Sequence, residues 1–312
     1  MMSPERTAYR KIKDLSREEF ILPGTSTCGG CGGLEALRLA TKVIGEKVVY
    51  VNAAGCFTLL AIFPFTPFRG SWLYTTMGSA PAGAQGVRDA MDILIAKGEL
   101  PREEDVQVIV LAGDGATYDI GMSSASGAIQ RNLDFWYFCY DNEAYGNTGV
   151  QMSSATPFAA ETHTSEPGAL APEGTEQKKK DIFEIWRAHG APYIATVSPR
   201  HPVDLARKFE KAKKIKGPKM FVAFSPCPTG WKYDPSKTPE VAKLAVECGI
   251  LALKEAVNGD VAHTHVPRKR IPVEAYLKTQ GRFRHIFEPV RREDAINAIQ
   301  EQVDKYWMAV NR

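Results

Sequence analysis

The chain has 312 residues, 44% of them hydrophobic and 24% charged, with a net charge of +3. That is ample material for a sizeable core, in one large domain or two small ones, and the charge is too slight to call for a nucleic-acid partner. Six cysteines are too few for a disulfide scaffold, residues 1–20 are charged where an apolar leader would be greasy, and the most apolar stretch, 57–68, is short and carries two prolines. A protein of the reducing cytoplasm with no membrane span is expected.

In chain order, Thr27-Cys28-Gly29-Gly30-Cys31-Gly32 comes first, ahead of a helical pattern over 33–44. An apolar run over 47–52 reads as a buried strand and leads into Gly55 and Cys56. A helical pattern over 80–97 precedes a second strand over 106–112, which ends at Gly113-Asp114-Gly115. A helix over 116–130 and a third strand over 135–140 follow, and then the run Asp141-Asn142-Glu143-Ala144-Tyr145-Gly146-Asn147. Residues 156–180 are rich in Pro, Gly, Thr, Ser and Glu without periodicity, and a long surface excursion is expected there. Helices over 181–189 and 202–216 alternate with strands over 193–197 and 220–224, the last leading into Ser225-Pro226-Cys227. A helix over 239–257 closes a main domain of residues 1–258, and a polar tail, 259–312, with a final helix over 293–310, reads as an arm that packs on a partner. Two short basic runs, 178–180 and 268–270, read as solvated faces, and His163 as an ordinary surface residue.

Strands alternating with helices imply an α/β fold, a mostly parallel sheet with helices on both faces. Ligands of such sheets collect beyond the carboxyl ends of the strands, where Cys56, Asp114, Asn142 and Cys227 all fall. Magnesium takes six oxygens, one or two from side chains and others from phosphates, backbone and water. Asp114 and Asn142 can supply side-chain oxygens and Ala144 a carbonyl, beside a helix whose first N–H groups can meet a diphosphate. Cys28, Cys31, Cys56 and Cys227 sit in Gly- or Pro-punctuated loops, one close pair and two remote single residues. That spacing suits an iron–sulfur cubane held among loops, with zinc the plainer alternative, since compact zinc modules bring two close pairs. The glycines around Cys28 and Cys31 leave backbone N–H groups free to meet cluster sulfurs, and Cys139 and Cys248 read as packing residues.

The runs 113–121 (GDGATYDIG), 141–149 (DNEAYGNTG) and 272–285 (PVEAYLKTQGRFRH) resemble the beta subunits of pyruvate:ferredoxin oxidoreductase and its relatives, over nearly the whole chain. The resemblance implies the diphosphate-binding fold of thiamine-diphosphate enzymes and oxidative decarboxylation, with electrons passing through a [4Fe–4S] cluster to ferredoxin. It assigns the cluster to Cys28, Cys31, Cys56 and Cys227, and magnesium to Asp114, Asn142 and the Ala144 carbonyl. It places Asn147 as the catalytic contact near the thiazolium and substrate, with Gly55, Cys56, Gly113 and Gly115 around the cofactor. The activating glutamate of thiamine enzymes lies, in this family, on a pyrimidine-binding alpha subunit or domain, so that subunit and further companions are expected and the isolated chain should be inactive. The segment 71–81 departs from the pattern of the pyruvate enzymes, which sets oxalate, a substrate needing no coenzyme A, level with pyruvate. A non-redox thiamine-diphosphate decarboxylase or carboligase subunit is the alternative.

Overall fold

The computed structural model describes residues 7–101 and 106–310. Eight strands form one sheet among the described residues: β1 (Val48–Ala53), β2 (Ser71–Thr75), β3 (Gln107–Gly113), β4 (Trp136–Asp141), β5 (Tyr193–Val197), β6 (Lys219–Phe224), β7 (Leu253–Val257) and β8 (Asp260–His265). Their order is β2-β1-β3-β4-β6-β5-β7-β8. The first six are parallel, and β7 and β8 are added antiparallel at one edge. The central strands are Val-, Ile- and aromatic-rich because both of their faces are covered. Alternate residues serve opposite layers. Tyr50, Leu111, Phe138 and Phe221 pack under α1 (Gly32–Ile44) and α5 (Pro202–Ala212). Val51, Val110, Tyr137 and Val222 pack under α2 (Ala80–Ala96), α3 (Met122–Gln130) and α4 (Ile182–Ala188).

Several expectations change. Ser71–Thr75, not read as a strand, forms the β2 edge, where most of its side chains are exposed. The helix expected over 116–130 begins as a π-helical turn, Gly115–Ile120, and becomes α-helical only past Gly121. The helix expected over 239–257 is α7 (Thr238–Glu247) and then strand β7, because Gly249 at φ +87° ends the helix. Asn258 and Gly259, at φ +50° and +90°, then make the two-residue turn into β8. Residues 156–180 are irregular but not a surface excursion throughout, since Thr156, Ala159, Ala160 and Thr175 are buried. Nor is the 178–180 run wholly solvated: Lys178 is exposed, but Lys179 bonds Asp141 and Glu143, and Lys180 bonds the Tyr118 carbonyl.

Beyond β6 come the short helix α6 (Pro228–Trp231), then α7, α8 (Val273–Leu277) and α9 (Glu293–Val310). Val273, Tyr276, Leu277, Phe283, Ile296, Val303 and Trp307 form one apolar cluster with Phe224, Trp231 and α7, so the tail is seated on its own chain. No helix among the described residues is long and apolar enough to cross a membrane.

Candidate active site

The four contiguous strands β1, β3, β4 and β6 deliver their loops to one rim. Beyond β3, Asp114 is fully buried, and its Oδ2 accepts from Ser153 Oγ at 2.5 Å. Beyond β4, the side-chain oxygen of Asn142 stands 2.7 Å from Asp114 Oδ1 and 2.8 Å from the Ala144 carbonyl oxygen. With Asp114 ionised, three acceptors therefore converge with no donor between them. Either the amide turns over, so that its Nδ2 donates to both oxygens, or a cation belongs there. Carboxylate, amide and carbonyl oxygens are the donor set that a hard divalent cation takes. Gly55, Cys56, Gly113, Gly115, Asn142, Ala144 and Asn147 line a cavity alongside, with Asp114 buried beneath it.

Cys28, Cys31, Cys56 and Cys227 line a second cavity of about 180 Å³. Cys31 heads α1, and the Gly32 N–H donates to the Pro226 carbonyl at 3.1 Å. A side chain on Gly32 would lie 2.6 Å from the Pro226 ring, so the glycine is what lets this loop reach the one carrying Cys227. The Cys227 sulfur accepts an N–H bond from Gly230 at 3.3 Å. Burial, then the neighbouring cysteines, push the Cys56 thiol up to about 12. Cys227 rises to about 11, chiefly through burial. Bound iron would reverse those shifts, because a metal deprotonates its thiol ligands. Among the described residues, no three His, Cys, Asp or Glu side chains are gathered tightly enough to hold a metal ion. Four thiol-bearing loops around one cavity are a donor set of the kind that soft metals take.

Residues 53–223 match the family of thiamine pyrophosphate enzymes at its C-terminal TPP binding domain. The chain is 42% identical, over 94% of its length and 97% of the relative's, to the pyruvate synthase subunit PorB of Methanocaldococcus jannaschii. It belongs to the beta-subunit family of the 2-oxoacid:ferredoxin oxidoreductases. A further relative of this beta subunit is the ketoisovalerate oxidoreductase subunit VorB of Pyrococcus abyssi, 38% identical over 93% of the chain and 92% of that protein. The beta-subunit fold is shared with the 2-oxoglutarate:ferredoxin oxidoreductase from Magnetococcus marinus, at a TM-score of 0.54 and 21% identity, covering 84% of this chain and 89% of that one.

Sequence reasoning missed the charges that hold the loop of this beta subunit in place. Glu143, between Asn142 and Ala144, has a left-handed backbone at φ +63° and a buried side chain. It bonds Lys179 Nζ at 2.9 Å and Arg282 at 2.7 Å, while Lys179 also bonds Asp141 at 2.6 Å. Arg282 lies over the Trp231 ring at 3.8 Å, and Trp231 Nε1 donates to the Asn142 carbonyl at 2.9 Å. Burial opposes ionisation of Glu143, but Lys179 and Arg282 outweigh it and hold the carboxyl below its usual range. Asp114 is the reverse case: burial, then the Asp141 charge, push its carboxyl well up despite Ser153 and Lys179. A charged residue between two site residues was the available signal for Glu143. Arg282 gave none, being about 140 residues away in sequence.

Proposed function

We infer that this chain is the beta subunit of a 2-oxoacid:ferredoxin oxidoreductase, which holds thiamine diphosphate through Mg²⁺ and a [4Fe–4S] cluster beside it. The observation that carries this is the shared wall: Cys56, Tyr140, Asn142, Gly146 and Asn147 line both cavities, so the oxygen-rich pocket and the four cysteines are one residue apart. Thiamine diphosphate would supply carbanion chemistry at the substrate carbonyl. Asp114, Asn142 and the Ala144 carbonyl would hold Mg²⁺, and Gly113 and Gly115 would leave room for the diphosphate. Asn147, on the cavity wall, would face the reacting carbons. Cys28, Cys31, Cys56 and Cys227 would hold the cluster that takes electrons toward ferredoxin.

The activating glutamate would come from a pyrimidine-binding alpha subunit, and the outer face of residues 259–312 would meet a companion chain. A cytoplasmic setting suits such a complex. Relatives named as pyruvate synthase subunits put pyruvate, with coenzyme A as acyl acceptor, ahead of oxalate. The test is anaerobic ferredoxin reduction by the assembled complex with pyruvate and coenzyme A, and with oxalate alone. Pyruvate-dependent reduction by the complex, and none by the isolated chain, is expected. Substrate turnover by a complex without iron–sulfur absorption would replace this reading with that of a non-redox decarboxylase.

A further inference from the structure

Asn142 faces both cavities with different atoms. Its oxygen is turned toward Asp114 Oδ1 and the Ala144 carbonyl, and its Nδ2 stands 3.6 Å from Cys56 Sγ, within reach of an N–H···S bond. Gly146 keeps that contact open, because a side chain there would come 2.8 Å from Nδ2 and 3.3 Å from the sulfur. Without a cation this orientation is the poorer one: turning the amide over gives two N–H···O bonds and aims the oxygen at Cys56. A divalent cation removes the alternative, since an amide N–H cannot face it.

The geometry points to Asn142 as a coupling residue: Mg²⁺ between Asp114, Asn142 and Ala144 locks the amide with Nδ2 toward Cys56, so filling the diphosphate–metal site adds a hydrogen bond to one sulfur of the neighbouring cavity. This rests on the function proposed above. Hydrogen bonds to ligand sulfurs are among the features that set a cluster's potential, and a donor favours the more negative, reduced state. The cluster is then easier to reduce when the cofactor site is loaded.

The experiment uses the assembled complex under anaerobic conditions, with its cluster reduced by dithionite. Electron–nuclear double resonance is compared in H2O and D2O, with Mg²⁺ and thiamine diphosphate bound and after chelation. In the wild type, one exchangeable-proton coupling beyond that of the Gly230 N–H on Cys227 is expected with Mg²⁺ and is lost on chelation, and the midpoint potential shifts upward on loading. Asn142→Asp keeps an oxygen for the cation but has no N–H, so it should bind Mg²⁺, lack that coupling with or without the metal, and show a smaller upward shift. The same set of couplings before and after chelation, or an Mg²⁺-dependent coupling that persists in Asn142→Asp, overturns the inference. If Asn142→Asp does not assemble, the wild-type comparison decides alone. A complex with no iron–sulfur signal overturns the functional reading itself.

Discussion

Around Asp114, position is set by charge. Asp141, Glu143, Lys179 and Arg282 form a chain of ion pairs, and one end of it carries the loop that supplies Asn142 and Ala144. Around the cysteines, position is set by backbone. Cys31 and Cys227 each head a helix, Cys56 opens a 3₁₀ turn, and Cys28 is exposed. The difference follows from the ligands each cavity suits. Hard oxygens brought together repel one another, so they need fixed countercharges before a cation arrives. Neutral thiols do not, and they need only loops that end in the right place.

The sharpest break of this contrast is Cys56→Ser, which should abolish the iron–sulfur absorption that this chain contributes while leaving Mg²⁺-dependent thiamine diphosphate binding within a few-fold of wild type. Parallel loss of both would mean that the cavities are not built independently. Arg282→Met strips a buried partner from Glu143 and should cost about 3 kcal/mol of unfolding free energy in urea, the low end of such losses because Lys179 remains. Asp114→Ala should weaken Mg²⁺-dependent cofactor binding by on the order of 100-fold in calorimetric titration, with iron content unchanged.

The same titration tests the sign of the charge argument. The metal-free Asp114 carboxyl is held above its ordinary range, so Mg²⁺ must displace a proton below that raised pKa, and affinity should fall as pH drops through it. The shift also makes the metal-free fold less stable as pH rises from the ordinary carboxylate value to the raised one. Glu143 acts oppositely: its lowered pKa adds stability above the unfolded value that is lost as pH falls through the folded one. Gly55→Ala should cost about 1–3 kcal/mol by overpacking, because its new carbon would sit 2.4 Å from Tyr140 Oη. The smallest change is Phe63→Ser, whose side chain is 96% exposed, with stability of the isolated chain moving by less than about 0.5 kcal/mol.

The central strands were legible because burial on both faces leaves unbroken apolar runs such as 108–112, and Asp114 and Asn142 were legible because they end such runs. β2 was not, since an edge strand with exposed Leu73 and Tyr74 has neither a continuous nor an alternating pattern. β7 was concealed because Leu-Lys-Glu-Ala-Val continues the helical spacing of α7; the Asn258-Gly259 pair was the overlooked signal. In the site, residue types and loop positions could be read from the chain. The Lys179 and Arg282 contacts could not, because they join segments far apart in sequence by tertiary packing alone.

Arg282 has a consequence for biosynthesis. Ribosomes extend a chain from its amino terminus, and Asn142 is made well before the residue whose guanidinium steadies Glu143 beside it. The setting of the loop that carries Asn142 and Ala144 is thus completed only after residue 282 has been made. A nascent chain, or one clipped before that point, would carry Asp114, Asn142 and Ala144 and lack the guanidinium that pairs with Glu143 between them.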